Sequence, residues 1–160
     1  MSVVADLPPA ELRDRLRGPG IDLVTGRFRT RIVSGLPEVT TGIAQLYRDF
    51  PVDGPTGFAD FHVAVARPRG LRRWYRPQVL FRFDGRSVFK PLPGNQAFPM
   101  LEWGLNWCLT TQVHHYLVFH AAVVANGERA LVMPGPPGSG KSTLCAALVT
   151  QGWRLLSDEM

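Results

Sequence analysis

The segment at residues 135–142 constrains the fold of this chain more than any other part of its sequence. It reads GPPGSGKS, which matches the pattern G-x-x-x-x-G-K-[ST] in full. The apolar run RALVMPG leads into it, and the helix-compatible run STLCAALVT follows it. A glycine loop between a strand and a helix directs its backbone N–H groups, and the positive end of the helix dipole, toward one point. The sequence therefore predicts an anion-binding turn.

Each residue type in this loop has a chemical reason. Glycine permits backbone conformations, and a close approach of the ligand, that a Cβ would prevent. Lys141 supplies a mobile positive charge for the β- and γ-phosphates of a nucleotide, and Ser142 supplies a hydroxyl for Mg²⁺. We therefore expect the chain to bind ATP, or another nucleoside triphosphate, together with Mg²⁺. The residues predicted to bind it are Gly135, Pro136, Pro137, Gly138, Ser139, Gly140, Lys141, Ser142 and Thr143.

The sequence around the loop predicts an α/β fold. Asn126-Gly127 lies between two apolar, β-branched runs and favours a hairpin. A strand at 153–156 follows the helix after the loop, so strand, loop, helix and strand form a βαβ unit. Such a unit predicts a parallel sheet with a right-handed crossover. A helix at about 97–115 precedes the hairpin, and its Trp103 and Trp107 are expected in the core.

We expect two parts in the chain. Residues 96–160 would form the N-terminal portion of a P-loop nucleotide-binding domain, with an incomplete βαβ core. Residues 1–95 would form a smaller α+β module whose role the sequence leaves open. In this module helices are predicted at 8–17 and 38–50. Extended segments are predicted at 21–33 with a break at Gly26, at 58–66, and at 78–89 with a turn at Asp84-Gly85.

The composition bears on partners and location. The net charge is +5, and the densest basic stretch, ARPRGLRRWYR, contains Trp74 and Tyr75, which can in principle stack on bases. We interpret this stretch as an arginine-rich connection between strands and expect no nucleic-acid partner. No apolar run reaches the roughly 18 residues of a membrane span, and no signal peptide is visible, so we expect a cytoplasmic protein without a membrane partner. Cys108 and Cys145 are expected to be small buried side chains.

Two further features could complete the site. Asp158 and Glu159 follow the last predicted strand, at the strand end where open α/β sheets bind ligands. One carboxylate could hold Mg²⁺ while the other accepts a proton from an attacking hydroxyl, although an acidic turn without chemistry is the alternative. His120 lies in the first strand of the hairpin, where a lone histidine is more often a core residue than a functional one.

The run from Phe119 to Glu159 resembles the catalytic core of bacterial HPr kinase/phosphorylase, and more closely the HprK-related kinases. The resemblance rests on His120, the loop at 135–142 and the run GWRLLSDE. It implies that Asp158 is the general base or acid near the γ-phosphate, that His120 tunes it, and that Glu159 assists Mg²⁺. Trp153 and Glu159 stand where HPr kinases usually carry His and Asp, so the acceptor stays open. The family core continues with further strands, which implies that this chain is an incomplete core.

The leading functional hypothesis is a kinase that transfers the γ-phosphate of ATP to a serine-type hydroxyl on a protein or a small molecule. Its catalytic residues would be Asp158, His120 and Lys141, and its metal ligands Ser142 and Glu159. A P-loop switch or transport ATPase is one alternative, and a non-catalytic nucleotide-binding module is another. A homo-oligomer is possible for each of them.

Overall fold

The structure, a computed structural model, describes residues 2–55, 57–68, 70 and 76–157. The chain is a mixed α/β protein that divides into two compact units, Met1–Cys108 and Leu109–Met160. We call them the first and second units. The division falls inside a long helix, later in the chain than the boundary at 95/96 that the sequence suggested.

The first unit contains an eight-stranded mixed sheet, two complete α-helices and most of a third. The elements are β1 (Ser2–Val3), α1 (Pro9–Arg17), β2 (Ile21–Thr25), β3 (Phe28–Ser34), α2 (Pro37–Leu46), β4 (Pro51–Asp53), β5 (Phe61–Ala66), β6 (Gln78–Phe83), β7 (Arg86–Ser87), β8 (Leu92–Pro93) and α3 (Ala97–Gln112). The strands pair in the order β1-β4-β2-β3-β5-β6-β7, and β8 pairs with β6. The pair β3–β5 is parallel, and the other described pairs are antiparallel.

Glycine fixes the two tight turns of this sheet. Gly26, at φ +62°, lies in the β2–β3 turn, and Asp84-Gly85, at φ +46° and +77°, forms the β6–β7 turn. In the β6–β7 turn both central residues have positive φ, which matches the right-handed twist of the flanking strands. The sequence predicted a break at Gly26 and a turn at Asp84-Gly85, and the structure confirms both.

Several predicted boundaries were wrong by a few residues. The helix predicted at 38–50 is Pro37–Leu46, and the helix predicted at 97–115 ends at Gln112. The strand predicted at 58–66 begins at Phe61. Element ends are set by capping and tertiary contacts, which propensity alone does not resolve.

Two glycines allow α3 to pack closely in the first unit. A Cβ placed on Gly104 would overlap the ring of Phe81 in β6, and a Cβ placed on Gly42 in α2 would overlap the ring of Phe98. Helix α3 therefore lies against both β6 and α2 at van der Waals distance. Phe81 is completely buried in this contact.

The prediction that both tryptophans of α3 are core residues was wrong for one of them. Trp103 is 56% exposed and stacks flat on Phe89, with ring centroids 4.8 Å apart. Trp107 is half-buried and meets Phe83 and Phe89 edge-on. The aromatic stripe is wider than the face that the sheet covers, so its outer edge remains in solvent.

The second unit contains a three-stranded sheet and one complete α-helix. Its elements are β9 (Ala121–Asn126), β10 (Arg129–Pro134), α4 (Lys141–Thr150) and β11 (Arg154–Ser157). The predicted hairpin is confirmed, with Asn126 opposite Arg129 and with Gly127 at φ +58° in the two-residue loop. Cys145 in this unit and Cys108 in the first unit are both buried, as expected.

The predicted strand pairing of the second unit was wrong. The order is β10-β9-β11, and β9 is antiparallel to both neighbours. Strands β10 and β11 run in the same direction but do not pair, because the hairpin places β9 beside β10 and β11 takes the free edge of β9. Helix α4 packs over this central strand, where Cys145 joins Ala122 and Val124 in a small core.

Within the described residues, no helix has both the length and the apolar character that crossing a bilayer requires.

Candidate functional site

The glycine loop connects the end of β10 at Pro134 to the start of α4 at Lys141. The Ser139 N–H donates to the Pro136 carbonyl at 3.2 Å and closes a turn inside the loop. The Leu144 N–H donates to the Gly140 carbonyl at 3.0 Å and starts the hydrogen-bond ladder of the helix. The strand–loop–helix order that the sequence predicted is therefore present.

Three glycines shape this loop for two different reasons. Gly138 and Gly140 have φ values of +80° and +86°, which residues with a Cβ rarely adopt. Gly135 has a steric reason, because a Cβ there would lie 2.9 Å from the Ser139 hydroxyl oxygen. Beside Gly138 and Gly140 a Cβ would meet no described atom within 4 Å, so the loop borders open space.

The Lys141 side chain folds back over the start of the loop. Its ammonium donates to the carbonyl oxygens of Gly135 at 2.7 Å and Pro136 at 3.0 Å. An ammonium has three donors, so two hydrogen bonds leave one for a ligand. The positive charge is thus held at the mouth of the loop.

The N-terminus of α4 carries no compensating negative charge. Throughout this ten-residue helix, all of which is described, the first turn contains no acidic residue, and the N-cap Gly140 offers no side-chain oxygen. The hydroxyls of Ser142 and Thr143 are exposed and have no hydrogen-bond partner among the described residues. The first turn therefore presents N–H groups and hydroxyls to the same region as the ammonium, which is a suitable environment for a polyanion.

His120 lies at the same end of the sheet as the loop. It directly precedes β9, whose first residue Ala121 is opposite Pro134, the last residue of β10. The interpretation of His120 as a core residue in an apolar strand was wrong, because its side chain is exposed and the strand begins one residue later. The preceding Phe119 is also 56% exposed, so the apolar flank does not bury the histidine.

The predicted acidic pair, Asp158 and Glu159, lies outside the described residues. The chain reaches it from β11, where Leu155 is opposite Val124 and Ser157 is opposite Val123, with a register shift between them. Because β11 is antiparallel to β9, the carboxyl end of β11 points toward the end of the sheet where β9 begins. Three chain positions thus lie at the same end of the sheet. They are the glycine loop after β10, His120 before β9, and Ser157 at the end of β11.

Two further questions raised by the sequence concern base stacking and metal binding. Trp74 and Tyr75, considered for base stacking, also lie outside the described residues. Across residues 2–55, 57–68, 70 and 76–157, no cluster of three or more His, Cys, Asp or Glu side chains is arranged to hold a metal ion.

Comparison with known proteins found no matching family, no matching curated protein and no matching solved structure.

Proposed function

We propose that the loop at residues 135–142 binds the phosphates of ATP, and that the chain is the nucleotide-binding part of a kinase with a hydroxyl acceptor. The observation that carries this proposal is the ammonium of Lys141, held 2.7 Å from the Gly135 carbonyl beside a helix N-terminus without an acidic first turn. A concentrated positive potential in a loop open to solvent favours a ligand with several negative charges.

Each residue of the loop would have one task. The backbone N–H groups between Gly138 and Ser142 would bind phosphate oxygens, and Lys141 would neutralise charge on the β- and γ-phosphates. The exposed hydroxyl of Ser142 fits a Mg²⁺ ligand, and Glu159 would be a second ligand by the sequence resemblance. When bound, Mg²⁺ supplies further charge neutralisation on the phosphates.

The transfer step needs a base, and the resemblance assigns that role to Asp158. The acceptor hydroxyl would lose its proton to this carboxylate while its oxygen bonds to the γ-phosphorus, and the bond from that phosphorus to the β-phosphate oxygen would break to release ADP. His120, at the same end of the sheet as the loop, would adjust the charge of Asp158. Sheet topology supports this grouping, since β10, which precedes the loop, and β11, which precedes Asp158, both end at the same end of the sheet.

Calorimetry of ATP binding with and without Mg²⁺ tests the binding half of the proposal. Lys141→Ala should weaken ATP binding by about tenfold or more, because a charge-assisted contact to phosphate is lost. The matched control is Lys90→Ala, since Lys90 is the only other lysine in the sequence and is exposed. Equal affinities in wild type and Lys141→Ala would contradict nucleotide binding at this loop.

The same pair of lysines permits a direct footprint of the site. An amine-reactive reagent followed by mass spectrometry should label both lysines in the free protein, and saturating ATP with Mg²⁺ should protect Lys141 and leave Lys90 reactive. Equal protection of both lysines would show that ATP acts elsewhere.

Transfer of labelled γ-phosphate tests the chemical half. Asp158→Asn should retain ATP binding and lose transfer by at least about 100-fold, as expected for removal of a general base. Tight ATP binding with no transfer by the wild-type protein to any serine-bearing acceptor would favour a non-catalytic nucleotide-binding module.

A further inference from the structure

A cleft in the first unit combines cationic and apolar walls. Its volume is about 610 Å³, within the range of small-molecule sites, and Arg17, Arg67, Leu36, Pro37 and Ala66 are among the residues that line it. A second cavity of about 230 Å³ shares Arg17 and Pro37 with the first and adds Arg13 and Thr40. The two cavities are therefore neighbouring parts of one cleft, bounded by α1, by the start of α2 and by the end of β5.

The cationic groups of this cleft have little internal compensation. Arg17 and Arg67 are exposed, and neither forms an ion pair or a hydrogen bond with another described residue. Among the described residues Arg13 pairs only with its neighbour Asp14, at 3.5 Å, and both side chains are at least half exposed. Two guanidinium groups without carboxylate partners can bind an oxyanion through paired N–H donors.

Other arginines of the first unit differ in this respect. Arg31 forms a bidentate pair with the buried Asp22, with distances of 2.8 and 2.9 Å, and Arg29 contacts Asp53 at 3.1 Å. On α1 itself, Arg15 pairs with Glu11 one turn earlier. Those arginines serve the fold, whereas Arg17 and Arg67 are available to a ligand.

The backbone adds to the positive potential of the cleft and positions one of the arginines. A Cβ placed on Gly35 would lie 3.8 Å from the Cγ of Arg17, so the aliphatic stem of Arg17 lies over the turn between β3 and α2. Helix α2 begins at Pro37 in the cleft wall, with the hydroxyl-bearing Thr40 in its first turns. The exposed Glu38 in the same turn opposes this field in part, so the arginines carry the recognition.

We infer that this cleft binds a small phosphorylated organic molecule, with its phosphate between Arg17 and Arg67 and its organic part against Leu36, Pro37 and Ala66. A tetrahedral phosphate presents enough oxygens for two guanidinium forks. The apolar wall distinguishes this ligand from inorganic phosphate. This site is separate from the nucleotide loop, which belongs to the second unit.

The test is an NMR titration of the ¹⁵N-labelled chain in a Lys141→Ala background, which removes the principal charge of the glycine loop. Glycerol 2-phosphate is the probe, and the readout is the amide resonances of Gly35 and Thr40. We expect saturable shifts, and a loss of affinity of about fivefold or more for Arg17→Gln and for Arg67→Gln. The matched control Arg86→Gln, another exposed arginine of the first unit, should change affinity by less than about twofold.

Four results would overturn the inference. One is the absence of saturation at Gly35 and Thr40, and another is an equal effect of Arg86→Gln. A third is equal affinity for inorganic phosphate, which would leave no role for the apolar wall. Tighter binding of a single-stranded oligonucleotide at the same amides would replace a small molecule with a nucleic acid.

Discussion

The two units of this chain bury their leucines to different degrees. In the first unit Leu12, Leu16 and Leu23 are 0 or 1% exposed. In the second unit Leu144 and Leu155 are 51% and 50% exposed, and the fully enclosed side chains are small ones such as Ala122 and Cys145. The difference indicates that large side chains close the core of the first unit, whereas the second unit has a small core and leaves these leucines half in solvent.

The largest contrast is expected between matched leucine truncations in the two sheets. Leu23→Ala in β2 should lower the free energy of unfolding by about 2–5 kcal/mol, because it creates a cavity in a closed core. Leu155→Ala in β11 should cost about 1 kcal/mol or less, since half of that side chain is already in water. Urea unfolding followed by circular dichroism measures both, and equal losses would remove the distinction between the units.

A second prediction concerns the close packing of α3. Gly104→Ala should destabilise the first unit by about 1–3 kcal/mol, because the new methyl group overlaps the Phe81 ring. Gly57→Ala is the control, since a Cβ at that exposed position meets no described atom within 4 Å. A neutral Gly104→Ala variant would show that α3 can move away from β6 without loss.

A third prediction separates backbone strain from ligand binding in the second unit. Gly140→Ala and Gly127→Ala each place a Cβ at positive φ, so each should lower stability by about 1 kcal/mol. If the loop binds ATP, calorimetry should show weaker binding for Gly140→Ala alone. A parallel loss of affinity in Gly127→Ala, in the β9–β10 turn, would mean that general destabilisation causes the effect.

The smallest effect is a pH dependence inside the first unit. The Tyr47 hydroxyl donates to Glu102 Oε1 at 2.8 Å, and burial raises the pKa of Glu102 although this hydrogen bond opposes the shift. Because the folded-state pKa of Glu102 is raised, its protonated carboxyl group stabilises the fold below the ordinary pKa of a glutamate. This stabilisation is lost as pH rises through the folded-state pKa of Glu102. Glutamine does not ionise, so the free energy of unfolding of Glu102→Gln should increase relative to that of wild type as pH rises through this range.

The matching measurement is the free energy of unfolding of wild type and Glu102→Gln at a series of pH values. The exposed Glu38→Gln serves as the control substitution. A difference between wild type and Glu102→Gln that stays constant with pH would contradict the assigned cause.

Local signals in the sequence predicted the turns and the glycine loop because glycine, asparagine and aspartate determine backbone conformation within a few residues. Gly26, Gly85 and Gly127 all lie in the turns where they were expected. The pairing of β11 with β9 could not be predicted, because either edge of the hairpin satisfies the same local pattern. The exposure of His120 also depends on where β9 begins, which the apolar run around it did not determine.

For the candidate site, the sequence located the loop, its lysine and its helix start, all of which follow from one contiguous motif. It missed the cleft with Arg17 and Arg67, because these arginines come from α1 and from the end of β5, 50 positions apart in the sequence. A cavity formed by distant segments has no contiguous signature. That neither arginine has a carboxylate partner in the described part of the chain becomes visible only in three dimensions.

The hydrogen bonds from Lys141 to Gly135 and Pro136 have a thermodynamic consequence for any ligand of the loop. A lysine side chain loses rotamer entropy when it is held in one place, and here that loss occurs during folding. An arriving anion would therefore meet a preorganised ammonium and would not have to order a flexible chain. The affinity of the loop should then depend mainly on electrostatics, and added salt should weaken it.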